Sequence, residues 1–194
     1  MRRVARRRAA HVNGPVTIDA EDRGQMRMNA KQAEYLIQQL RVLVVEDNPF
    51  MRNLVRNMLG TIGVKKVYEA SDGIAGLEML RSVTPDVMVL DWEMPLLNGP
   101  ELVRIVRSPG VFPLPDIPII MLTAHGERWR IVEAAKLGIN EFLCKPVSAK
   151  SLLDRLLSIL LKPRENIQIG EYYGPVPRHP TAAQAEPAAD DSAG

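Results

Sequence analysis

Cysteine is almost absent from this 194-residue chain: Cys144 stands alone, and there are only three histidines. A single cysteine excludes an internal disulfide framework, and no Cys/His spacing here resembles a zinc site. Cys144 is expected to be a small core residue. Long apolar runs are missing as well, since no stretch approaches the roughly 18 residues that a membrane span needs. The N-terminal arginines are followed by no apolar segment that would make a signal peptide, so a cytoplasmic protein is expected. The glycine-rich turn of dinucleotide-binding enzymes is lacking too. Where it would bring backbone close to a pyrophosphate, the sequence has "VVEDNPF".

Neither sign of charge dominates, but the balance is uneven along the chain. Residues 1–27 carry seven arginines against three acids, residues 28–162 sixteen bases against fifteen acids, and residues 163–194 two arginines against five acids. Residues 1–39 are expected to form a basic, mostly disordered leader with a helical start near residue 29. A nucleic-acid arm is the weaker reading of "MRRVARRRAA". From Pro163 the chain turns rich in Pro, Ala and acids, and a C-terminal extension over 163–194 is expected, largely disordered after about residue 175. Its short apolar patch, Ile167, Ile169, Tyr172 and Tyr173, is too small to fold alone and needs either this domain or a partner to pack on. No second folded domain, and in particular no DNA-binding domain, is expected.

What is present between residues 40 and 162 is a regular alternation of strand-like and helix-like segments. The strand-like runs are "RVLVV" (41–45), "KVYEA" (66–70), "DVMVL" (86–90), "IPIIML" (117–122) and "EFLC" (141–144). Helical patterns fill 49–59, 72–81, 99–107, 127–137 and 148–161. Gly60, Gly63 and Gly138 fall at or just past helix ends, and Ser148 is placed to cap the last helix. The pattern predicts an α/β domain, a doubly wound parallel sheet of five strands with helices on both faces, too short for an eight-stranded barrel.

Chemistry gathers at the strand ends. The first strand runs into Glu46-Asp47, the third into Asp91, the fourth into Thr123 and the fifth into Lys145-Pro146. Parallel strands bring their carboxyl ends together, so these side chains converge on one edge, where open α/β sheets bind ligands. Converging carboxylates repel one another unless a divalent cation intervenes, and an all-oxygen set suits Mg²⁺. A lysine and a hydroxyl opposite the metal make an environment for a phosphoryl group, with Asp91 as the central carboxylate and nucleophile.

"VLVVEDN", "VMVLDWEMPLLNG", "IIMLTAH" and "FLCKP", in this order and spacing, resemble the receiver domain of bacterial two-component response regulators across residues 40–161. The resemblance implies the flavodoxin-like strand order 2-1-3-4-5 and phosphoryl transfer to Asp91 from a sensor histidine kinase or a histidine phosphotransfer protein. It implies Mg²⁺ held by Glu46, Asp47, Asp91 and the backbone carbonyl of Glu93, with Thr123 and Lys145 on the phosphoryl group. It further implies a switch coupling Thr123 to Phe142, a cis Lys145-Pro146 bond, and a pair, Glu93 and His125, that tunes dephosphorylation. Such a protein is a signalling receiver rather than an enzyme with an external substrate.

The last helix, "SAKSLLDRLLSILL", carries a wider apolar sector than one buried face needs. It either packs on the sheet and the C-terminal extension or forms part of a homodimer face with the fifth strand and the fourth helix, across which the "IQIGEYYGP" patch reaches as an arm. Two other functions compete with the phosphorylated switch. A constitutive binding module would keep the fold without the chemistry, against the intact set Glu46, Asp47, Asp91, Thr123 and Lys145. A phosphatase of the dehalogenase type would want a second aspartate two residues after the nucleophile, where this chain has Glu93.

Overall fold

The structure is a computed structural model that describes residues 31–124 and 128–177. The chain divides into two compact units, residues 1–32 and 33–194. Of the first unit only residues 31 and 32 belong to the described part, and they are helical. Residues 1–30 of the expected leader lie outside the described residues, as do the last seventeen residues of the C-terminal extension. Residues 33–39, expected as the end of that leader, are helical and belong to the second unit instead, with Ala33 and Ile37 buried because their apolar side chains turn inward, Ile37 into the core of the sheet.

The second unit is built from β1 (Arg41–Val45), α1 (Pro49–Ile62), β2 (Lys66–Ala70), α2 (Gly73–Val83), β3 (Val87–Asp91), α3 (Gly99–Val106), β4 (Ile119–Thr123), α4 (Arg128–Lys136), β5 (Glu141–Cys144) and α5 (Ala149–Leu161), followed by β6 (Asn166–Ile169) and β7 (Tyr172–Pro175). The first five strands pair in parallel in the order β2-β1-β3-β4-β5. This is the doubly wound sheet that the alternation predicts, in the strand order that the resemblance implies. No described helix is long and apolar enough to cross a membrane.

Strand residues alternate between two cores, and each core has its own helices. Val42, Val44, Val87, Val89, Ile120, Leu122 and Leu143 point to the side covered by Val55 and Leu59 of α1 and by Leu152 and Leu156 of α5. Leu43, Val45, Met88, Leu90, Ile119 and Met121 point to the side covered by Leu80 of α2 and by Leu102, Val103 and Val106 of α3. Burial on both faces explains why β1, β3 and β4 are continuous apolar runs. Asn48, Asp72, Asn98 and Ser148 accept backbone N–H bonds at the starts of α1, α2, α3 and α5.

Several boundaries differ from the sequence reading. β3 runs one residue further, to Asp91 itself, and β4 begins at Ile119 because Pro118 donates no backbone hydrogen bond. α1 continues through Gly60, which is helical; the left-handed cap is Gly63. Gly138 does take the expected left-handed conformation. Cys144 is exposed rather than buried, because it ends an edge strand with no further strand beyond it. On α5, Leu153, Leu157, Ile159 and Leu160 pack at the rim of the core beside the fully buried Leu152 and Leu156, leaving Leu161 half exposed. The patch at Ile167–Tyr173 belongs to an antiparallel hairpin, β6–β7, that the sequence reading left without structure.

Candidate functional site

Register fixes which side chains meet. Val45 pairs with Leu90, Asp91 with Leu122, and Thr123 with Cys144. The residues at the carboxyl ends therefore stand side by side: Glu46 after β1, Asp91 ending β3, Thr123 ending β4 and Lys145 after β5. Carboxylate oxygens of Glu46, Asp47 and Asp91 lie within 4.8 Å of one another. The Lys145 Nζ is 2.8 Å from Glu46 Oε2 and 2.8 Å from Asp91 Oδ1. Glu46 is 1% exposed, Asp91 5% and Thr123 0%, whereas Asp47 faces solvent.

Burial pushes the Glu46 and Asp91 carboxyls above the ordinary carboxylate range. Lys145 pulls both back, while Asp91 repels Glu46 and Asp47 repels Asp91. For Lys145 burial acts downward, but its bonds to Asp91 and Glu46 outweigh it and raise its pKa, so the ammonium stays charged. Lys145 thus pairs with two buried carboxylates, and Asp47 adds a third, solvent-facing one beside them. The donor set is all oxygen, and it opens onto a cleft of about 440 Å³ lined by Asp47, Trp92, Glu93, Met94, Pro95 and Asn98. A small hard divalent cation that keeps several waters fits this arrangement.

The surrounding backbone is tightly constrained. Gly99 N–H donates to Trp92 O at 3.0 Å, and a β-carbon on Gly99 would strike the carbonyl oxygen of Asp91 and lie 3.1 Å from Trp92 Cα. Leu96, in the β3–α3 connection, has φ 68°, a left-handed conformation that costs a leucine about 1 kcal/mol. Lys145 N–H donates to Thr123 O at 2.7 Å, and the Lys145-Pro146 bond is cis. Arg52, on the first turns of α1, donates from Nη1 to the carbonyl of Glu46 at 2.7 Å and approaches Glu69 at 3.6 Å. The sequence reading assigned no role to Arg52. Its signal was a basic residue one turn into the helix that follows the acidic pair.

The structure therefore brings together Glu46, Asp47, Asp91 and Lys145, with Thr123 at the neighbouring strand end. Glu93 is exposed and lines the cleft. Phe142 is half buried on β5, opposite Met121, and packs against the α2–α3 core. His125 lies outside the described residues.

Residues 42–157 match the response regulator receiver domain family. The chain belongs to this family. It is 36% identical over 117 residues to chemotaxis protein CheY-3 of Vibrio cholerae, which covers 60% of this chain and 88% of that protein. It is 37% identical over 120 residues to chemotaxis protein CheY of Pseudomonas aeruginosa, covering 62% and 95%. Among solved structures, the V. cholerae chemotaxis protein CheY4 superposes with a TM-score of 0.56 at 30% identity, covering 62% of this chain and 98% of that one. The receiver domain of sensor histidine kinase PA1611 from P. aeruginosa, solved with a magnesium ion coordinated in its active-site cleft, matches with a TM-score of 0.54 at 28% identity, covering 61% and 94%. The receiver core is thus common to all of them, whereas β6 and β7 fall outside the family match.

Proposed function

We propose that this receiver is switched by phosphorylation of Asp91 and acts in a two-component or phosphorelay system. A carboxylate oxygen of Asp91 attacks the phosphorus of a phosphohistidine carried by a sensor histidine kinase or a histidine phosphotransfer protein. The O–P bond forms as the N–P bond breaks, and the imidazole leaves to take up a proton from solvent. Glu46, Asp47, Asp91 and the carbonyl of Glu93 would hold Mg²⁺, which supplies charge neutralisation for the transferring phosphoryl oxygens. Lys145, already 2.8 Å from Asp91, pairs with the phosphoryl group, and the Thr123 hydroxyl binds it. Glu93 and His125 tune the lifetime of the acyl phosphate by their action on the attacking water.

The observation that carries this reading is the convergence of three carboxylates, Asp91 among them, with one ammonium, two of the carboxylates buried and held high in pKa. Two exposed apolar residues lie close in sequence to residues that line the cleft: Phe50, three residues after Asp47 (75% exposed), and Leu96, next to Pro95 (85% exposed). They give a histidine-bearing partner a greasy rim to dock on. Occupancy at Asp91 moves Thr123 and Phe142 and so changes the face formed by α4, β5 and α5, which controls partner binding or homodimerisation.

The test is incubation with a small acyl-phosphate donor and Mg²⁺, read by intact mass and by size, with Asp91→Asn and EDTA as controls. A single Mg²⁺-dependent phosphoryl addition that is absent in the variant is expected, and a parallel change in size assigns the output to dimerisation. No addition, or addition that survives Asp91→Asn, overturns the proposal and favours a constitutive binding module.

A further inference from the structure

β6–β7 sits at the end of the sheet opposite to Asp91, on a platform organised by one buried cation. Arg107, at the C-cap of α3, is 6% exposed. Its Nε donates to Gly138 O at 2.9 Å, its Nη2 to Ile117 O at 2.7 Å and to Asn140 Oδ1 at 3.1 Å, and its Nη1 to Pro115 O. Burial among carbonyls lowers its pKa to about 10, which still leaves it charged at neutral pH. This one guanidinium fixes the segment before β4 and the turn between α4 and β5 relative to each other.

The hairpin then bonds to that platform. Asp116 Oδ1 accepts from Tyr173 Oη at 2.5 Å and from Asn166 Nδ2 at 2.7 Å. Arg164 donates to the carbonyl of Asn140 and, through Nη1, to Val176 O at 2.9 Å. Two glycines meet backbone to backbone: a β-carbon on Gly174 would lie 2.5 Å from Gly138 Cα, and one on Gly138 would strike the carbonyl of Tyr173. Contact this close leaves no room for the α4–β5 turn to shift while the hairpin stays in place.

The two elements anchored here are the two that lead from the phosphoryl site. α4 ends at the Gly138 turn, and β5 starts after Asn140 and ends at Cys144, the residue before Lys145. A four-residue strand spans only about 13 Å, and both elements are rigid over that length. A displacement at either site end is therefore felt at the hairpin contacts. Contacts that hold the corner in this position oppose its displacement, and coupling between two sites is reciprocal.

We propose that the C-terminal hairpin is a clasp that holds the α4–β5 corner in place and so opposes phosphoryl occupancy of Asp91. This rests on the receiver reading above. The probe is beryllofluoride with Mg²⁺, a stand-in for the phosphoryl group, titrated calorimetrically into the full chain. Tyr173→Phe combined with Asn166→Ala removes both donors to Asp116, and Gly174→Val pries the glycine contact apart. Both variants are expected to bind beryllofluoride at least fivefold more tightly than the wild type. In the unaltered protein, beryllofluoride is expected to speed amide hydrogen exchange across residues 166–175, a readout that needs no variant. Equal or weaker binding by the variants, or hairpin exchange that is unchanged or slowed, overturns the clasp alone. Absence of binding by wild type and variants alike overturns the receiver reading and the clasp with it.

Discussion

Gly99 lies against the backbone of Asp91 so closely that a β-carbon at position 99 would collide with the Asp91 carbonyl oxygen. The contact closes the β3–α3 connection under the Asp91 carboxylate and starts α3, whose N-cap Asn98 forms a capping box with Glu101. Nothing flexible stands between the two residues. Any side chain at 99 must move the main chain of Asp91 or of Trp92.

Gly99→Ala is accordingly expected to cost about 1–3 kcal/mol of stability, the usual range for forced overpacking. If Asp91 is the nucleophile proposed above, it is also expected to lower the rate of acyl-phosphate-driven phosphorylation at least tenfold, because a displacement of a few tenths of an ångström there spoils in-line attack. Chemical denaturation and the intact-mass time course measure the two effects separately. A variant that is destabilised yet phosphorylates at the wild-type rate would show that the contact serves folding only.

The acidic cluster makes a pH-dependent claim with a definite sign. The Glu46 and Asp91 carboxyls lie above their ordinary range when folded, so between the unfolded and folded values the native state holds more protons. Their contribution therefore favours folding at low pH and turns unfavourable as pH rises through that window above about 4. At pH 7 without metal, Asp91→Asn is expected to raise Tm by about 2–4 °C, and the gain should shrink at pH 4. Added Mg²⁺ at ten times its Kd should stabilise the wild type by about 1.4 kcal/mol and leave Asp91→Asn little changed. Differential scanning calorimetry at the two pH values, with EDTA or Mg²⁺, decides both points.

At the other end of the sheet the sign reverses. Asp86 accepts from Arg41 at its backbone N (2.8 Å), at Nε (3.2 Å) and at Nη2 (3.0 Å). Burial acts upward on Asp86, but these bonds outweigh it and hold the carboxyl below the ordinary range. The stability it contributes is present above about pH 4 and is lost as pH falls through the depressed value. Both side chains are more than one-third exposed, so Asp86→Asn should cost only about 0.5–1 kcal/mol at pH 7. Urea titrations of wild type and variant should converge under strongly acidic conditions.

Much of this was legible in the sequence, for a physical reason. β1, β3 and β4 are covered on both faces, so they are uninterrupted apolar runs. The first polar residue after each is forced to the sheet edge, which is why Glu46, Asp91 and Thr123 could be placed together before any coordinates. Long-range support was not legible. Arg107 bonds to Gly138 and Asn140, and Arg52 approaches Glu69, only because of chain folding, and an isolated arginine carries no mark of such a partner. Cys144 follows a buried apolar neighbour, yet its exposure depends on β5 being an edge strand, which local sequence does not encode. The β6–β7 hairpin is held by Asp116 and Asn140, residues 24 or more positions earlier, and its own patch is too short to announce a fold.

Gly60 offers the most direct way to stabilise the molecule without touching the site. Helix-end punctuation suggested a cap there, but the structure places it inside α1, where its conformation is helical and a β-carbon would meet nothing within 4 Å. Glycine in a helix interior costs about 0.5–1 kcal/mol relative to alanine, chiefly through the entropy of the unfolded chain. Gly60→Ala should therefore raise unfolding free energy by about that amount, with unchanged Mg²⁺ affinity and unchanged phosphorylation, since α1 reaches the site only through its first turns at Asn48 and Arg52. The urea midpoint should increase at constant m. A decrease would show that α1 breaks at Gly60 in solution and that the helix ends where the sequence pattern first placed its boundary.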